Sequence, residues 1–260
     1  MEVVILPGEG EIAALAADAV CTLLNRKPDA VLGLATGSSP LATYRELIAR
    51  HRRGAVSFAG ARAFLLDEYV GLPDDHPQRY RSVIREELER HVDFADGAVS
   101  GPDGGAEGLV AACAGYESAI ADCGGVDLQL LGLGTDGHVA FNEPGSSLAS
   151  RTRIKTLTER TRADNARFFA SDADVPRHVL TQGLGTIREA RHLLLVATGS
   201  AKAAAVAAMV EGPVSAFCPA SVLQLHPHAT VLVDEAAAER LALASYYRET
   251  WTGKPHWQSL

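Results

Sequence analysis

At 260 residues, 47% hydrophobic and 22% charged, the chain has the composition of a globular protein with material for a substantial core. Its formal charge of −8 argues against nucleic acid as the main partner, since phosphate-backbone binding needs a basic face. No apolar run reaches the ~18–20 residues of a membrane span, and four scattered cysteines without Cys-x-x-Cys spacing exclude a zinc ribbon or disulfide frame.

Met1-Glu2 opens with an acid and then only a short apolar run, so no secretory leader is expected and a soluble, cytoplasmic protein is. Along the chain, short β-rich runs alternate with amphipathic helices. "EVVIL" (Glu2–Leu6) reads as a strand, and Ile12, Leu15, Ala16, Ala19, Leu23 and Leu24 follow at helical spacing. "AVLGLA" (Ala30–Ala35) is continuously apolar, as a strand buried on both faces should be. Further strands are predicted in Ala61–Leu66, Val126–Gly134, His192–Ala197 and Ala229–Val233. Helices are predicted over Leu41–Arg53, Pro77–His91, Glu107–Cys123, Ala201–Val210 and Asp234–Tyr247. This alternation implies right-handed crossovers and a single α/β domain: an open, mostly parallel, Rossmann-like sheet flanked by helices on both faces. Ligands of such sheets sit beyond the carboxyl ends of the strands.

Four segments at those ends could carry chemistry. In "ATGSSPL", Thr36, Gly37, Ser38 and Ser39 supply hydroxyls and exposed N–H groups where a strand meets a helix, and Pro40 suits the first turn. That is a ready phosphate site, or else a tight turn with a serine cap; it lacks the lysine and spacing of a nucleotide P-loop. "FLLDEY" ends a strand in two acids. Alternation sends one of them toward the cleft, and Asp67, following three apolar residues, is the better candidate for a desolvated base. In "GLGTDGHVAFNEPGSS", Asp136, His138 and Glu143 could hold a metal, run acid–base chemistry or cap a turn. No further ligand stands at metal spacing, whereas a carboxylate against an imidazole sets its tautomer and basicity, which favours acid–base work without a metal or cofactor. Finally Arg151, Arg153, Lys155, Arg160, Arg162 and Arg167 form a basic cluster suited to a phosphorylated ligand, or merely a solvated face, and Lys202 follows a second Thr-Gly-Ser turn.

Together "LATGSSPLATY", "LLDEYVGLP", "GLGTDGHVAFNEPGSSLASRTRIKTLT", "NARFF", "TQGLGTI", "ATGSAKA" and "LQLHPHA" resemble the glucosamine-6-phosphate deaminase family, from the first strand to about Asp234. The resemblance implies reversible hydrolysis of α-D-glucosamine 6-phosphate to fructose 6-phosphate and ammonia. Asp67 then matches the acid that moves a proton between carbons 1 and 2, and His138 matches the ring-opening histidine, with Asp136 and Glu143 tuning it. Thr36–Ser39, Arg167 and Lys202 match the phosphate site. Some members are hexamers activated by N-acetylglucosamine 6-phosphate. Ser146, Arg153 and Lys155 match residues of that allosteric pocket, although the C-terminal tyrosines of "LASYYRETWTGKPHWQSL" give no clear match to the tyrosine used there. A homo-oligomer and a polar lid over Thr156–Val179 are further expectations. The fold class is shared with 6-phosphogluconolactonases and ribose-5-phosphate isomerases; the Asp136–Glu143 stretch distinguishes the deaminases from them. A non-catalytic sugar-phosphate sensor could dispense with Asp67 and His138.

Overall fold

The computed structural model describes residues 1–260 except 167, 168, 170, 172, 173, 256 and 259, and only the backbone at 160 and 164. In chain order the elements are β1 (Glu2–Leu6), α1 (Glu9–Arg26), β2 (Val31–Leu34), α2 (Leu41–Arg52), β3 (Arg62–Leu65), β4 (Asp67–Tyr69), α3 (Tyr80–Glu87), β5 (Val99–Ser100), α4 (Leu109–Asp122) and β6 (Leu128–Leu131). They continue with β7 (Arg153–Thr156), α5 (Glu159–Ala166), β8 (His178–Thr181), α6 (Leu184–Arg188), β9 (His192–Ala197), α7 (Ala203–Val210), β10 (Ala229–Asp234) and α8 (Ala244–Thr252).

Seven strands form one sheet in the order β1-β10-β9-β6-β2-β3-β5, and its ladders are all parallel. The uninterrupted apolar runs are explained by its two cores. Val3 and Ile5 face one core and Val4 the other, as Leu193 and Leu195 oppose Leu194 and Val196. Ile12, Leu47 and Ile84 bring α1, α2 and α3 onto one face; Ile120, Ile187 and Val206 bring α4, α6 and α7 onto the other. Burial of each such aliphatic side chain is worth roughly 1.5–3 kcal/mol. From β2 the chain moves outward to β3 and β5, then returns to β6 on the opposite flank of β2. The crevice of this open sheet therefore lies at the carboxyl ends of β2 and β6.

A second sheet, antiparallel and ordered β4-β8-β7, was not foreseen. Its strands are too short, and β7 too polar, to give an apolar run. Leu66 alone separates β3 from β4, so the chain changes sheets immediately before Asp67.

Two predicted helices are corrected. The Pro77–His91 helix starts only at Tyr80 and gives way to a 3-10 turn at Glu89–His91. The Asp234–Tyr247 helix does not form: β10 runs through Asp234, and α8 begins at Ala244. The Asp234 carboxylate is used instead by the Gly199 and Ala237 N–H groups, and Glu211 takes the N–H groups of Ala242 and Leu243 just ahead of α8. No described helix is long and apolar enough to cross a membrane.

Candidate active site

Four neighbouring strands of the parallel sheet, in the order β9-β6-β2-β3, deliver the predicted segments to one edge. After β2, Thr36–Ser39 turns into α2. Gly37 adopts φ +90°, a conformation that an L side chain would strain, and both it and Ser38 are exposed. Ser39 packs toward Gly132 at the end of β6, where its Oγ lies 3.4 Å from the position a Cβ would take. Behind the turn, buried Tyr44 of α2 donates its hydroxyl to the Ala35 carbonyl at 2.7 Å and fixes the strand end.

After β3, Asp67 is 5% exposed and Glu68 0%. Both acids are thus buried, where alternation had sent only one of them toward the cleft. They differ in their partners. Glu68 accepts the backbone N–H groups of Tyr69, Tyr80 and Arg81 at 2.8–2.9 Å. Among the described residues no comparable donors reach Asp67: burial pushes its carboxyl well above the ordinary range, and the charge of Glu68 adds to the effect. A carboxylate so placed is a stronger base than one in water, and sits in a neighbourhood that includes Tyr69, Tyr80 and Tyr116.

After β6, Asp136 accepts from the His138 backbone N–H at 3.2 Å and lies 2.6 Å from its Nδ1. That contact places the proton on Nδ1 and leaves Nε2 as the basic nitrogen. The ring folds back over Gly134, where a Cβ would stand 2.3 Å from Nδ1, so only glycine permits this approach. A second loop supports the turn: Ala220 N donates to the Gly137 carbonyl and Gly145 N to that of Ala216.

Glu143 is not brought onto His138. Its Oε1 accepts from the hydroxyls of Thr158, at 3.3 Å, and Thr161, joining the histidine loop to the N-terminus of α5. This departs from the expectation that both carboxylates tune the imidazole; Pro144 and the turn at Gly145 carry Glu143 toward the polar 158–161 segment instead.

Beyond β9, Lys202 lies in the 3-10 turn Ser200–Lys202 ahead of α7. Arg167 lies outside the described residues. Ser146 is 5% exposed, with its Oγ unpartnered among the described residues. Arg153 and Lys155 stand two apart on β7 and so share one side of it. Burial lowers the Arg153 pKa. The expected lid around 156–179 comprises the end of β7, α5, the described residues that follow and the start of β8; Leu157 N bonds to the Arg177 carbonyl across its base.

Several residues that organise the site carried no argument in the sequence. Asn142 and Gln182, 0% and 1% exposed, link the histidine loop to the end of β3. Tyr116 of α4 donates to the Leu65 carbonyl at 2.7 Å. Their signal was faint: single polar residues inside otherwise apolar or loop segments.

Residues 9–233 match the family described as glucosamine-6-phosphate isomerases/6-phosphogluconolactonase. A glucosamine-6-phosphate deaminase of Mycolicibacterium smegmatis is 67% identical over 261 residues, covering 100% of both chains. Among solved structures, a monomeric glucosamine-6-phosphate deaminase aligns with TM-score 0.90 and 42% identity over 92% of this chain and 100% of its own. The 6-phosphogluconolactonase from Trypanosoma cruzi aligns with TM-score 0.74 and 21% identity over 93% and 97%, a likeness of fold alone.

Proposed function

The chain belongs to the family of glucosamine-6-phosphate isomerases and 6-phosphogluconolactonases, and we propose that it converts α-D-glucosamine 6-phosphate and water to D-fructose 6-phosphate and ammonia, reversibly. The protein is an enzyme of amino-sugar metabolism with glucosamine-6-phosphate deaminase activity. The observation that carries the assignment of roles is the edge shared by β6, β2 and β3. It sets a phosphate-type turn between a carboxylate-held imidazole and a desolvated carboxylate.

Each role follows from the chemistry required. The sugar phosphate is held by the N–H and hydroxyl groups of Thr36, Gly37, Ser38 and Ser39, with Lys202 and Arg167 supplying positive charge. His138, with Nδ1 committed to Asp136, takes the anomeric hydroxyl proton on Nε2 and returns it to the ring oxygen, which opens the ring. The Asp67 carboxylate removes the proton from carbon 2 of the open-chain aldehyde, giving an enolamine. The same carboxyl then protonates carbon 1, leaving a ketimine at carbon 2. Water adds to it and ammonia departs, giving the ketose. Each positioned proton transfer contributes about 10²–10⁴-fold, and binding the remote phosphate supplies orientation. Glu143, tied to Thr158 and Thr161, supports closure of the 156–179 segment as a lid over the phosphate.

Ser146, Arg153 and Lys155 form a pocket for N-acetylglucosamine 6-phosphate as activator in a homo-oligomer. The unpartnered Ser146 hydroxyl and the two cations on one side of β7 support this reading. Steady-state velocities that stay hyperbolic and unchanged on adding that sugar phosphate would remove it.

The deciding experiment is incubation of the purified protein with glucosamine 6-phosphate, with assay of ammonia and fructose 6-phosphate. Stoichiometric release of both is expected. Absence of ammonia together with hydrolysis of 6-phosphogluconolactone would overturn the assignment.

A further inference from the structure

Glu68 has no place in the chemistry above, yet it is 0% exposed and more heavily hydrogen-bonded than the acid beside it. Its Oε1 accepts the N–H groups of Tyr69 and Tyr80 at 2.8 and 2.9 Å, and its Oε2 that of Arg81 at 2.9 Å. Tyr80 and Arg81 are the first two residues of α3, whose N–H groups have no partner within the helix, and Arg79 offers no side-chain cap. A glutamate from another strand therefore does what a serine or asparagine usually does locally, at the cost of burying a carboxylate.

We propose that Glu68 is a positioning residue for the reaction: it clamps β4 to the N-terminus of α3 and holds a fixed negative charge beside Asp67. The proposal rests on Asp67 being the proton carrier. The adjacent main-chain positions bind the two acids rigidly, and β4 is pinned on its other side by pairing of Asp67 with Thr181 and Tyr69 with Val179 of β8. The ionisable groups that act on Asp67, or are acted on by it, are Glu68, Tyr69, Tyr80 and Tyr116 from β4, α3 and α4. Arg79 faces the pair, its Nε 3.7 Å from Glu68 Oε2, and its guanidinium also pairs with the exposed Asp74. Burial is the larger cause of the raised Asp67 pKa, and the charge of Glu68 adds to it. Burial also raises the pKa of Glu68 itself, while the three N–H groups and Arg79 oppose that.

The test is the pH profile of kcat/KM on glucosamine 6-phosphate for the wild type, Glu68→Gln and Arg79→Gln. The acid limb reports ionisation of Asp67 in the free enzyme. Removing the Glu68 charge eases that ionisation, so the limb moves to lower pH by about one unit. Removing Arg79 leaves the Glu68 charge less compensated and moves the limb upward. A cap of purely structural importance lowers kcat or thermal stability and leaves the limb in place; that result in both variants overturns the proposal while the deaminase reading stands. An inactive wild type sinks that reading instead. If Glu68→Gln does not fold, Arg79→Gln decides alone: an upward limb supports the role and a fixed limb overturns it.

Discussion

The Asn142 side-chain amide donates to the Gln182 carbonyl at 2.8 Å, and the Gln182 side-chain amide donates to the Leu65 carbonyl at 2.9 Å. Three segments distant in sequence are thereby locked together: the loop bearing His138, the end of β8, and the end of β3 two residues before Asp67. Asn142→Ala breaks the first link and removes one donor each from the Gln182 and Val139 carbonyls. A loss of about 1–3 kcal/mol in urea unfolding is expected, together with lower kcat. Unchanged stability would show that the link is dispensable.

Asp67→Asn separates activity from stability. Turnover should fall by about 10²–10⁴-fold, the usual worth of a positioned base. The folded-state carboxyl is raised, so between its unfolded and folded pKa values the native state holds the extra proton, and stability falls as pH rises through that window. The amide removes this cost. The variant should therefore be more stable than the wild type at neutral pH by roughly 1–3 kcal/mol, the desolvation penalty of an unpaired buried group. A variant that stays active, or is less stable in urea, contradicts the environment assigned to Asp67.

Gly134→Ala probes the imidazole. A methyl group there meets the His138 ring 2.3 Å from Nδ1, so the ring must swing away from its position. A displacement of about 1 Å costs roughly 10²-fold in rate. Near wild-type kcat would show that the ring tolerates other placements.

His138→Gln should lose more rate on the ring-closed sugar than on a substrate supplied open-chain, because only the former needs ring opening. Equal losses on both, measured by ammonia release, would remove His138 from that step.

The opposite end of the sheet carries a pH-dependent stability term. His192 stacks on His228 with centroids 3.8 Å apart and lies 2.9 Å from Thr230 Oγ1 through Nε2. Burial, then the charges of His228, His226 and Lys254, push its pKa down to about 3. As pH falls below the unfolded value of about 6.5, the unfolded chain binds a proton that the native state refuses. Stability from this residue is thus full above that value and lost toward pH 3, at up to about 1.4 kcal/mol per unit. Between pH 7.5 and 5.5 the wild type should lose about 1 kcal/mol more than His192→Gln in urea unfolding. Parallel losses would exclude this histidine as the source.

The parallel sheet was legible because its strands are buried on both faces, so "AVLGLA" and "HLLLVA" could be nothing but apolar. The turn at Thr36–Ser39 and the Asp136–His138 pair were legible for a related reason: both are built by residues adjacent in the chain. The sequence by itself determined the fold class and the strand ends at which the candidate residues Thr36–Ser39, Asp67, Asp136 and His138 gather. Tertiary structure decided the rest. It turned β4, β7 and β8 into a second sheet, gave Glu68 to the start of α3, and sent Glu143 to Thr158 and Thr161 rather than to the imidazole. Hydrophobic periodicity is a local signal written along one segment, whereas a buried carboxylate takes whichever donors the folded chain brings within 3 Å, and those come from segments that periodicity does not connect.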